Sequence, residues 1–422
     1  MSDRPLIDEI GEWLIDQALA EPDIAAMFEQ TCRRLDGAGV PLARARLTWR
    51  TLHPLFRAET VLWRRREGIE FEQFRHAEEA SEEWLRSPMK YMLDSRIDTL
   101  RRHLDGPNER IDFDMTRELQ AEGYTDYLAV ITGLDGQEDL PDSERILFSG
   151  PGEDTDDGKG IIVTWAADRP GGFSDDDIRA LQEIQRRFAV ACKTVIQSRI
   201  ARTITETYLG RDAGRQVLSG SIKLGDGRRL QAVVWYADLR RSTPMADAMP
   251  AEDFLRMLNE YFVHTAGAVL AEGGEVLDFI GDAVLAIFPY ECEITATEAS
   301  QRARRAMSAA LANLARYNVE RSTNALPPLE FGVGLQAGEV TFGNIGLEAR
   351  LTFSAIGSVI NEAARIEHMT KTIGLPGLAT ERIARHDPDA WVSVGSHSLT
   401  GISTPCELYA LRESVEARAA AE

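Results

Sequence analysis

The sequence predicts two mixed α/β domains joined by a helical linker. The chain has 422 residues, more than a single hydrophobic core usually organises. Apolar residues make up 44% and charged residues 27%, a mixture typical of globular proteins. Segments with helical spacing are interspersed with short apolar runs bounded by Gly, Asp and Pro. We predict a first domain at 1–195, a helical linker at 196–227, a second domain at 228–412 and a C-terminal tail at 413–422.

The first domain is expected to begin with helix and to continue into a sheet. Residues 8–35 show helical spacing, and residues 44–65 are rich in strand-forming side chains. Three more short strands are predicted, at Tyr127–Thr132, Arg145–Phe148 and Ile161–Trp165.

A long helix is predicted to close this domain. Ser174, with Asp177 three positions later, has the pattern of an N-terminal cap. Helical spacing then continues to Tyr208, just before Gly210, so the helix should join the two domains. The element order and the phrase GGFSDDDIRALQEIQRRFAV resemble a GAF-like sensory domain. Such a domain implies either a small-molecule ligand or a ligand-free role in dimerisation, and both alternatives stay open.

Charge and cysteine content exclude several classes of protein. A formal charge of −21 argues against a nucleic-acid groove, which relies on clustered Lys and Arg. The N-terminal residues are too acidic for a signal peptide, and no apolar run approaches the roughly 20 residues that a membrane span requires. The four cysteines are far apart and form no CxxC pair, so we expect neither disulfides nor zinc, and a cytoplasmic location.

Two aspartates are the first candidates for chemistry. The apolar run LQAVVWYADL ends in Asp238, at the C-terminal edge of a predicted buried strand, and the turn and helix that follow could offer backbone N–H groups to a phosphate. In GGEVLDFIGDAVLAIF, two strands flank Gly281 and Asp282, a pair typical of tight hairpins. Each aspartate alone is equally consistent with a cap or a turn. Together they could hold two hard divalent cations, which favours phosphoryl transfer.

A third segment pairs an amide with a guanidinium. A Gly-rich strand pair leads into a helix predicted to begin near Ser358, and Asn361 and Arg365 share one face of it. These groups suit a ribose and a phosphate oxygen. The structural alternative is a surface arginine paired with Glu362 or Glu367.

The three segments, in this order and at this spacing over residues 228–412, resemble the class III adenylate and guanylate cyclases. The resemblance implies a ferredoxin-like catalytic domain that converts a nucleoside triphosphate into a 3′,5′-cyclic nucleotide and pyrophosphate for second-messenger signalling. It also implies two divalent metal ions per site, Mg²⁺ or Mn²⁺. The roles that it implies are metal binding for Asp238, Asp282 and the Leu239 carbonyl, ribose orientation for Asn361, and charge stabilisation at the α-phosphate for Arg365. In that family the metal and ribose groups come from different subunits, which implies a head-to-tail homodimer and an inactive monomer.

The nucleotide base is left open by two departures from the family pattern. Asp278 stands where adenylate cyclases usually carry a lysine, and an ionised carboxylate only accepts hydrogen bonds, which favours guanine. The same acceptor would also serve cytosine or uracil, so ATP, GTP and a pyrimidine cyclase of the kind used in phage defence stay open. The second base-reading position, Ser354, both donates and accepts.

The triphosphate contacts are also unusual. Thr400 and Ile402 stand where a phosphate-binding lysine is common in the family. We therefore expect the triphosphate to rely on the metals or on the segment Arg240, Arg241, Ser242 and Thr243. A retired cyclase domain that only binds nucleotide or dimerises is the remaining alternative.

Overall fold

The computed structural model describes residues 4–20, 22–76, 81–134, 160–347, 350–402 and 404–421. They fall into an N-terminal unit, Met1–Ile204, and a C-terminal unit, Thr205–Glu422. Each unit contains helices and a sheet, so the predicted mixed α/β class is confirmed. None of the helices in the described ranges is long and apolar enough to cross a lipid bilayer.

The N-terminal unit is built on an antiparallel sheet. Its described strands are β1 (Leu42–Arg50), β2 (Phe56–Arg64), β3 (Gly68–Arg75), β4 (Thr99–His103), β5 (Asp126–Gly133) and β6 (Gly160–Ala167). They lie in the order β3-β2-β1-β6-β5-β4. The described helices that begin in this unit are α1 (Arg4–Ala20), α2 (Ile24–Gly37), α3 (Glu82–Leu85), α4 (Pro88–Asp94), α5 (Asp114–Ala121) and α6 (Asp175–Leu209).

Most elements predicted for this unit are confirmed, with finer divisions. The helical stretch 8–35 is two helices, because Asp23 caps a new one by accepting a hydrogen bond from the Ala26 amide at 2.9 Å. The stretch 44–65 is likewise two strands, β1 and β2. The predicted strands at 127–132 and 161–165 are β5 and β6, whereas the one at 145–148 lies outside the described residues. The GAF-like resemblance stays a prediction.

The predicted cap of α6 is present as a reciprocal pair of hydrogen bonds. The Asp177 amide donates to Ser174 Oγ at 3.3 Å, and the Ser174 amide donates to Asp177 Oδ2 at 2.9 Å. Burial raises the pKa of the Asp177 carboxyl, but hydrogen bonds from the Ser174 hydroxyl and amide and from Arg169 outweigh it and lower that pKa. The helix ends at Leu209, immediately before Gly210, as the spacing predicts.

The C-terminal unit is built on a larger mixed sheet. Its described strands are β7 (Gly227–Leu239), β8 (Glu275–Ile280), β9 (Ala283–Tyr290), β10 (Phe331–Leu347), β11 (Arg350–Ile356), β12 (Gly377–Thr380), β13 (Trp391–His397) and β14 (Cys406–Leu411). Seven lie in the order β13-β14-β12-β10-β7-β9-β8, and β11 pairs with the far end of β10. The described helices are α7 (Arg211–Leu218), α8 (Ser242–Ala248), α9 (Ala251–Ala271), α10 (Glu293–Thr323), α11 (Ser358–Ile373), α12 (Glu381–Ala384) and α13 (Arg412–Ala421), with a 3₁₀ turn at Pro388–Ala390.

Strand β7 is covered on both faces, which explains its continuous apolar sequence. Val233 and Trp235 belong to a core cluster that includes side chains of α9 and α10. Val234 lies in a second cluster with Ala363 of α11. Because side chains alternate along a strand, Asp238 lies on the same face as Val234, toward α11.

Two glycines of β10 let α11 approach the sheet closely. A methyl group at Gly334 would lie 2.5 Å from the Glu367 amide nitrogen and would also overlap the Ala363 carbonyl oxygen. A methyl at Gly332 would lie 2.5 Å from Glu367 Oε1 and 2.6 Å from a terminal nitrogen of Arg240. Any larger residue would displace α11 or its ion pairs.

Candidate active site

The carboxylate of Asp238 lies at the end of β7 and faces a lysine. Asp238 is opposite Ala283 on β9 and Gly332 on β10. Lys371 Nζ donates to Asp238 Oδ2 at 3.1 Å, with the lysine side chain 40% and the aspartate side chain 26% exposed. The carboxylate is therefore reachable from solvent, and it already attracts a cation.

Asp282 is brought next to Asp238 by a hairpin. Gly281 has φ +65° in the turn between β8 and β9, a conformation that glycine adopts without strain. Asp282 immediately precedes Ala283, the residue opposite Asp238. Burial raises the pKa of Tyr261, and the negative charges of Asp238 and Asp282 raise it further, so both carboxylates act on the same neighbouring phenol.

This pair fits a hard divalent cation that also binds substrate. Mg²⁺ in proteins commonly takes one or two carboxylates and completes its shell with water and substrate phosphates. Within the part of the chain that the structure describes, no group of three or more His, Cys, Asp or Glu could hold a metal alone. The ammonium of Lys371 is the cation next to Asp238 in this structure. Leu239, the next residue, is buried and lies opposite Phe331.

Arg240, expected to contact the triphosphate, is instead held inside the chain. Its guanidinium donates to Glu367 Oε1 at 3.2 Å and to Thr370 Oγ1, and its side chain is only 15% exposed. Burial raises the pKa of Glu367 to about 7, with a further rise from Asp238, whereas Lys371 and Arg240 lower it. Arg240 thus links α11 to the end of β7, and its assignment to the triphosphate stays a prediction.

The rest of that segment forms the turn into α8. Arg241 adopts left-handed backbone geometry at φ +58° and caps α8, a helix of seven residues that begins with Ser242 and Thr243. Arg241 and Thr243 are exposed, and Ser242 is half-buried.

Asn361 and Arg365 lie together in a pocket of about 380 Å³ on another side of α11. The pocket is also lined by Ala364, His368, Met369, Leu399 and Thr400. Arg365 donates to the Thr400 carbonyl oxygen, whereas Glu362 accepts from Gln336 and Glu367 pairs with Arg240. Neither acidic residue considered as a surface partner therefore holds Arg365.

One chain does not bring the aspartates and the asparagine–arginine pair together. Arg365 and Lys371 are six residues apart, which on an α-helix is about 9 Å along the axis and about 120° in direction. Lys371 contacts Asp238, so Arg365 points away from that carboxylate.

The two predicted base-reading positions lie on strands that touch. Asp278 is half-buried on β8, opposite Leu285, beside a register shift between Val276 and Asp278. Ser354 is half-buried on β11, opposite Gly343. Strands β8 and β11 contact one another.

The sequence did not indicate that Lys371, Glu367 and Thr370 lie at the candidate site. They lie on the α11 turns after Arg365, and Glu367 was considered only as a surface partner for Arg365. The usable signal was spacing, because Glu367 and Lys371 are four apart and share a helix face distinct from that of Asn361 and Arg365.

Part of the C-terminal unit is similar to proteins of known type. Residues 228–375 match the model described as the adenylate and guanylate cyclase catalytic domain. An adenylate cyclase of Anabaena cylindrica is 31% identical over 173 residues, which cover 39% of this chain and 32% of the relative. An uncharacterised protein of Mycobacterium tuberculosis is 32% identical over 209 residues, 49% of this chain and 34% of the relative. The matched region thus covers about a third of the length of these relatives.

Solved structures of cyclases are similar over part of the chain. A bacterial light-regulated adenylyl cyclase has a TM-score of 0.45 and 23% identity, over 53% of this chain and 64% of its own. An adenylyl cyclase from P. aeruginosa has a TM-score of 0.38 and 25% identity, over 44% of this chain and 95% of its own.

Proposed function

We propose that this protein is a nucleotidyl cyclase, because its residues 228–375 match the model of the adenylate and guanylate cyclase catalytic domain. The observation that carries the proposal is the pair Asp238 and Asp282, which lie close together at the ends of neighbouring strands, with Lys371 next to Asp238. Its substrate is a nucleoside triphosphate, and its products are a 3′,5′-cyclic nucleotide and pyrophosphate.

The residues divide the work of one displacement at phosphorus. Asp238 and Asp282, with the Leu239 carbonyl, would hold two divalent cations, Mg²⁺ or Mn²⁺, which supply charge neutralisation when bound. The Asn361 amide orients the ribose, so that its 3′-oxygen lies in line with the α-phosphorus. That oxygen attacks, the bond to the β-phosphate oxygen breaks, pyrophosphate leaves, and the 3′-hydroxyl proton passes to solvent. Arg365 stabilises the charge that grows on the α-phosphate.

A complete site requires two copies of the chain. Arg365 points away from Asp238 on the same α11, so the partner has to supply the asparagine and arginine. A head-to-tail homodimer with two shared sites satisfies this requirement. Mixing Asp282→Asn and Arg365→Ala chains in equal amounts should therefore restore about a quarter of wild-type activity, since half of the dimers would contain one intact site. Two inactive variants that stay inactive after subunit exchange would contradict the shared site.

Base choice rests on Asp278. Its carboxylate accepts hydrogen bonds, which fits the N1–H and amino group of guanine better than the adenine edge. GTP is therefore the first substrate to test, with ATP next and a pyrimidine triphosphate as the third candidate. The name of the Anabaena relative describes that relative and does not decide the base here.

The direct test is turnover by the full chain with each of the four ribonucleoside triphosphates and Mn²⁺. Wild-type protein should release a cyclic nucleotide and pyrophosphate in equal amounts from at least one triphosphate. Asp282→Asn should remain folded, because the nearby ion pair at Asp238 is left intact. It should lose this activity, because a carboxylate of the proposed metal site is removed. A wild-type protein that binds nucleotide without turnover would instead support the retired signalling module.

The N-terminal unit is proposed to regulate this activity within a signalling pathway. We place the protein in the cytoplasm, where nucleoside triphosphates are available and where its four free cysteines stay reduced. Helix α6 begins in this unit and ends at Leu209, and only Gly210 separates it from α7. A change in the N-terminal unit could reach α7 through this helix.

A further inference from the structure

One face of the N-terminal sheet carries arginines in a single cross-strand row. Arg44 on β1 lies directly opposite Arg64 on β2. On its other side Arg44 is opposite Ala166 of β6. The row continues through Tyr127 of β5 to Arg102 of β4. Like charges directly opposite on a sheet repel one another, so this row needs compensating anions.

Several arginines of this face have carboxylate partners, whereas Arg44 has none among the described residues. Arg46 donates to Glu72 at 3.1 Å, Arg64 lies 3.2 Å from Glu67, and Arg102 donates to Asp112 at 2.8 Å. Across the described ranges, Arg44 has neither a hydrogen bond nor an ion pair.

The side chains of Arg44 and Arg46 also contain orphaned donors. The Nε atom of each is buried and has no hydrogen-bond partner among the described residues. Buried donors without a partner are rare in folded proteins, because each loses its bonds to water. Burial lowers the pKa of Arg44, and the neighbouring Arg46 lowers it further, against smaller opposing effects of Tyr124 and Glu122.

The side chains next to Arg44 on the neighbouring strands β6 and β5 are small. Ala166 beside it and Ala129, two residues after Tyr127 on β5, are small side chains of the same face. Arg44 as a whole is half-buried, although its Nε atom is not exposed to solvent. Thr164, opposite Arg46, adds a hydroxyl to this surface.

We propose that the N-terminal unit binds a small oxyanion, the carboxylate or phosphate group of a metabolite, on Arg44 and Arg46. A guanidinium offers a planar fork of donors that matches either group. The bound oxyanion accepts from the two orphaned Nε atoms and neutralises the unpaired charge of Arg44. This site does not depend on the proposed cyclase activity.

The test uses the full chain and two simple probes, inorganic phosphate and acetate. Thermal unfolding is followed while either probe is titrated, with sodium chloride at matched ionic strength as the reference. One probe or both should raise the Tm, and the larger response identifies phosphate or carboxylate as the preferred group. Arg44→Gln should weaken the apparent affinity by about tenfold or more, as expected for lost charge-assisted hydrogen bonds.

Arg33→Gln is the matched control. Arg33 lies on α2, pairs with Glu29 at 2.7 Å and is 59% exposed, so its loss removes the same charge from the same unit. Its response to the probes should equal that of the wild type. No response beyond chloride, or an equal response of Arg44→Gln, would overturn the proposal.

A second measurement needs no ligand. Arg44→Leu in probe-free chloride buffer should raise the Tm, because it removes a half-buried cation that has no anion. A lower Tm would mean that Arg44 stabilises the free protein, which is inconsistent with a site waiting for its anion.

Discussion

Replacing Gly334 by alanine adds one methyl group where α11 crosses β10. The methyl would lie 2.5 Å from the Glu367 amide nitrogen and would overlap the Ala363 carbonyl oxygen. Both atoms belong to the helix backbone, so no change of rotamer can relieve the contact. The helix must move by roughly an ångström to restore normal van der Waals distances.

The expected cost follows from overpacking. Extra methyl groups in well-packed regions typically cost about 1–3 kcal/mol. In a unit of this size each kcal/mol lowers the Tm by about 2–4 °C, so the Tm should fall by about 2–12 °C. Because α11 carries Asn361 and Arg365, turnover should fall more steeply, by up to about a hundredfold for a misplacement of this size.

Gly338→Ala on the same strand is the control. Its methyl would lie 3.2 Å from Cγ2 of Val359, a side-chain atom that can give by a few tenths of an ångström. Both variants lose the same backbone freedom in the unfolded chain, so their difference isolates the helix contact. Calorimetry and turnover of the two variants decide the matter, and a Tm for Gly334→Ala equal to that of Gly338→Ala would refute the close approach.

Three further predictions concern side chains around the site. Lys371→Met removes the cation beside Asp238 and should lower the metal concentration for half-maximal activity about 1.5- to 5-fold, as expected for a partly exposed ion pair; an unchanged or higher requirement in metal titrations would count against it. Asp278→Lys should shift the ratio of kcat/KM for GTP and ATP toward ATP by about tenfold or more, and an unaltered ratio in competition assays would remove Asp278 from base reading. Burial and then Asp212 raise the pKa of Glu275 to about 7, so the folded state keeps a proton that the unfolded state releases. The stabilisation from this bound proton is complete below the unfolded pKa of Glu275 and is lost as pH rises through 7. Glu275→Gln should therefore reduce the fall in Tm between pH 5 and pH 8. Parallel profiles of Tm against pH for the two proteins would contradict this.

Local signals carried most of what the sequence could predict about the fold. The cap at Ser174, the hairpin at Gly281 and the start of α11 near Ser358 each depend on residues within a few positions of one another. The breaks inside 8–35 and 44–65 were missed because apolar spacing continues across them. Pro22 and Pro54 mark those breaks in the sequence, since proline lacks the N–H that a continuing helix or strand would use.

The same distinction between local patterns and contacts distant in sequence applies to the candidate site. The aspartates are placed by strand and turn patterns, which the sequence shows. The contact of Lys371 with Asp238 joins residues 133 positions apart, and the ion pair of Arg240 with Glu367 joins residues 127 apart. Such contacts depend on how closely α11 approaches β7, which no local pattern specifies.

Helix α11 carries two sets of side chains with different targets. Ala363, Glu367 and Thr370 are buried against the helix's own sheet, and Lys371 reaches Asp238. Asn361 and Arg365 line a pocket on another side. Because an α-helix moves nearly as a rigid body over a few turns, a displacement at Gly334 moves both sets together. In the proposed dimer, Lys371 beside Asp238 of one subunit and the arginine offered to the other would then be misplaced at once. This is why we expect Gly334→Ala to reduce kcat more than its loss of stability alone would.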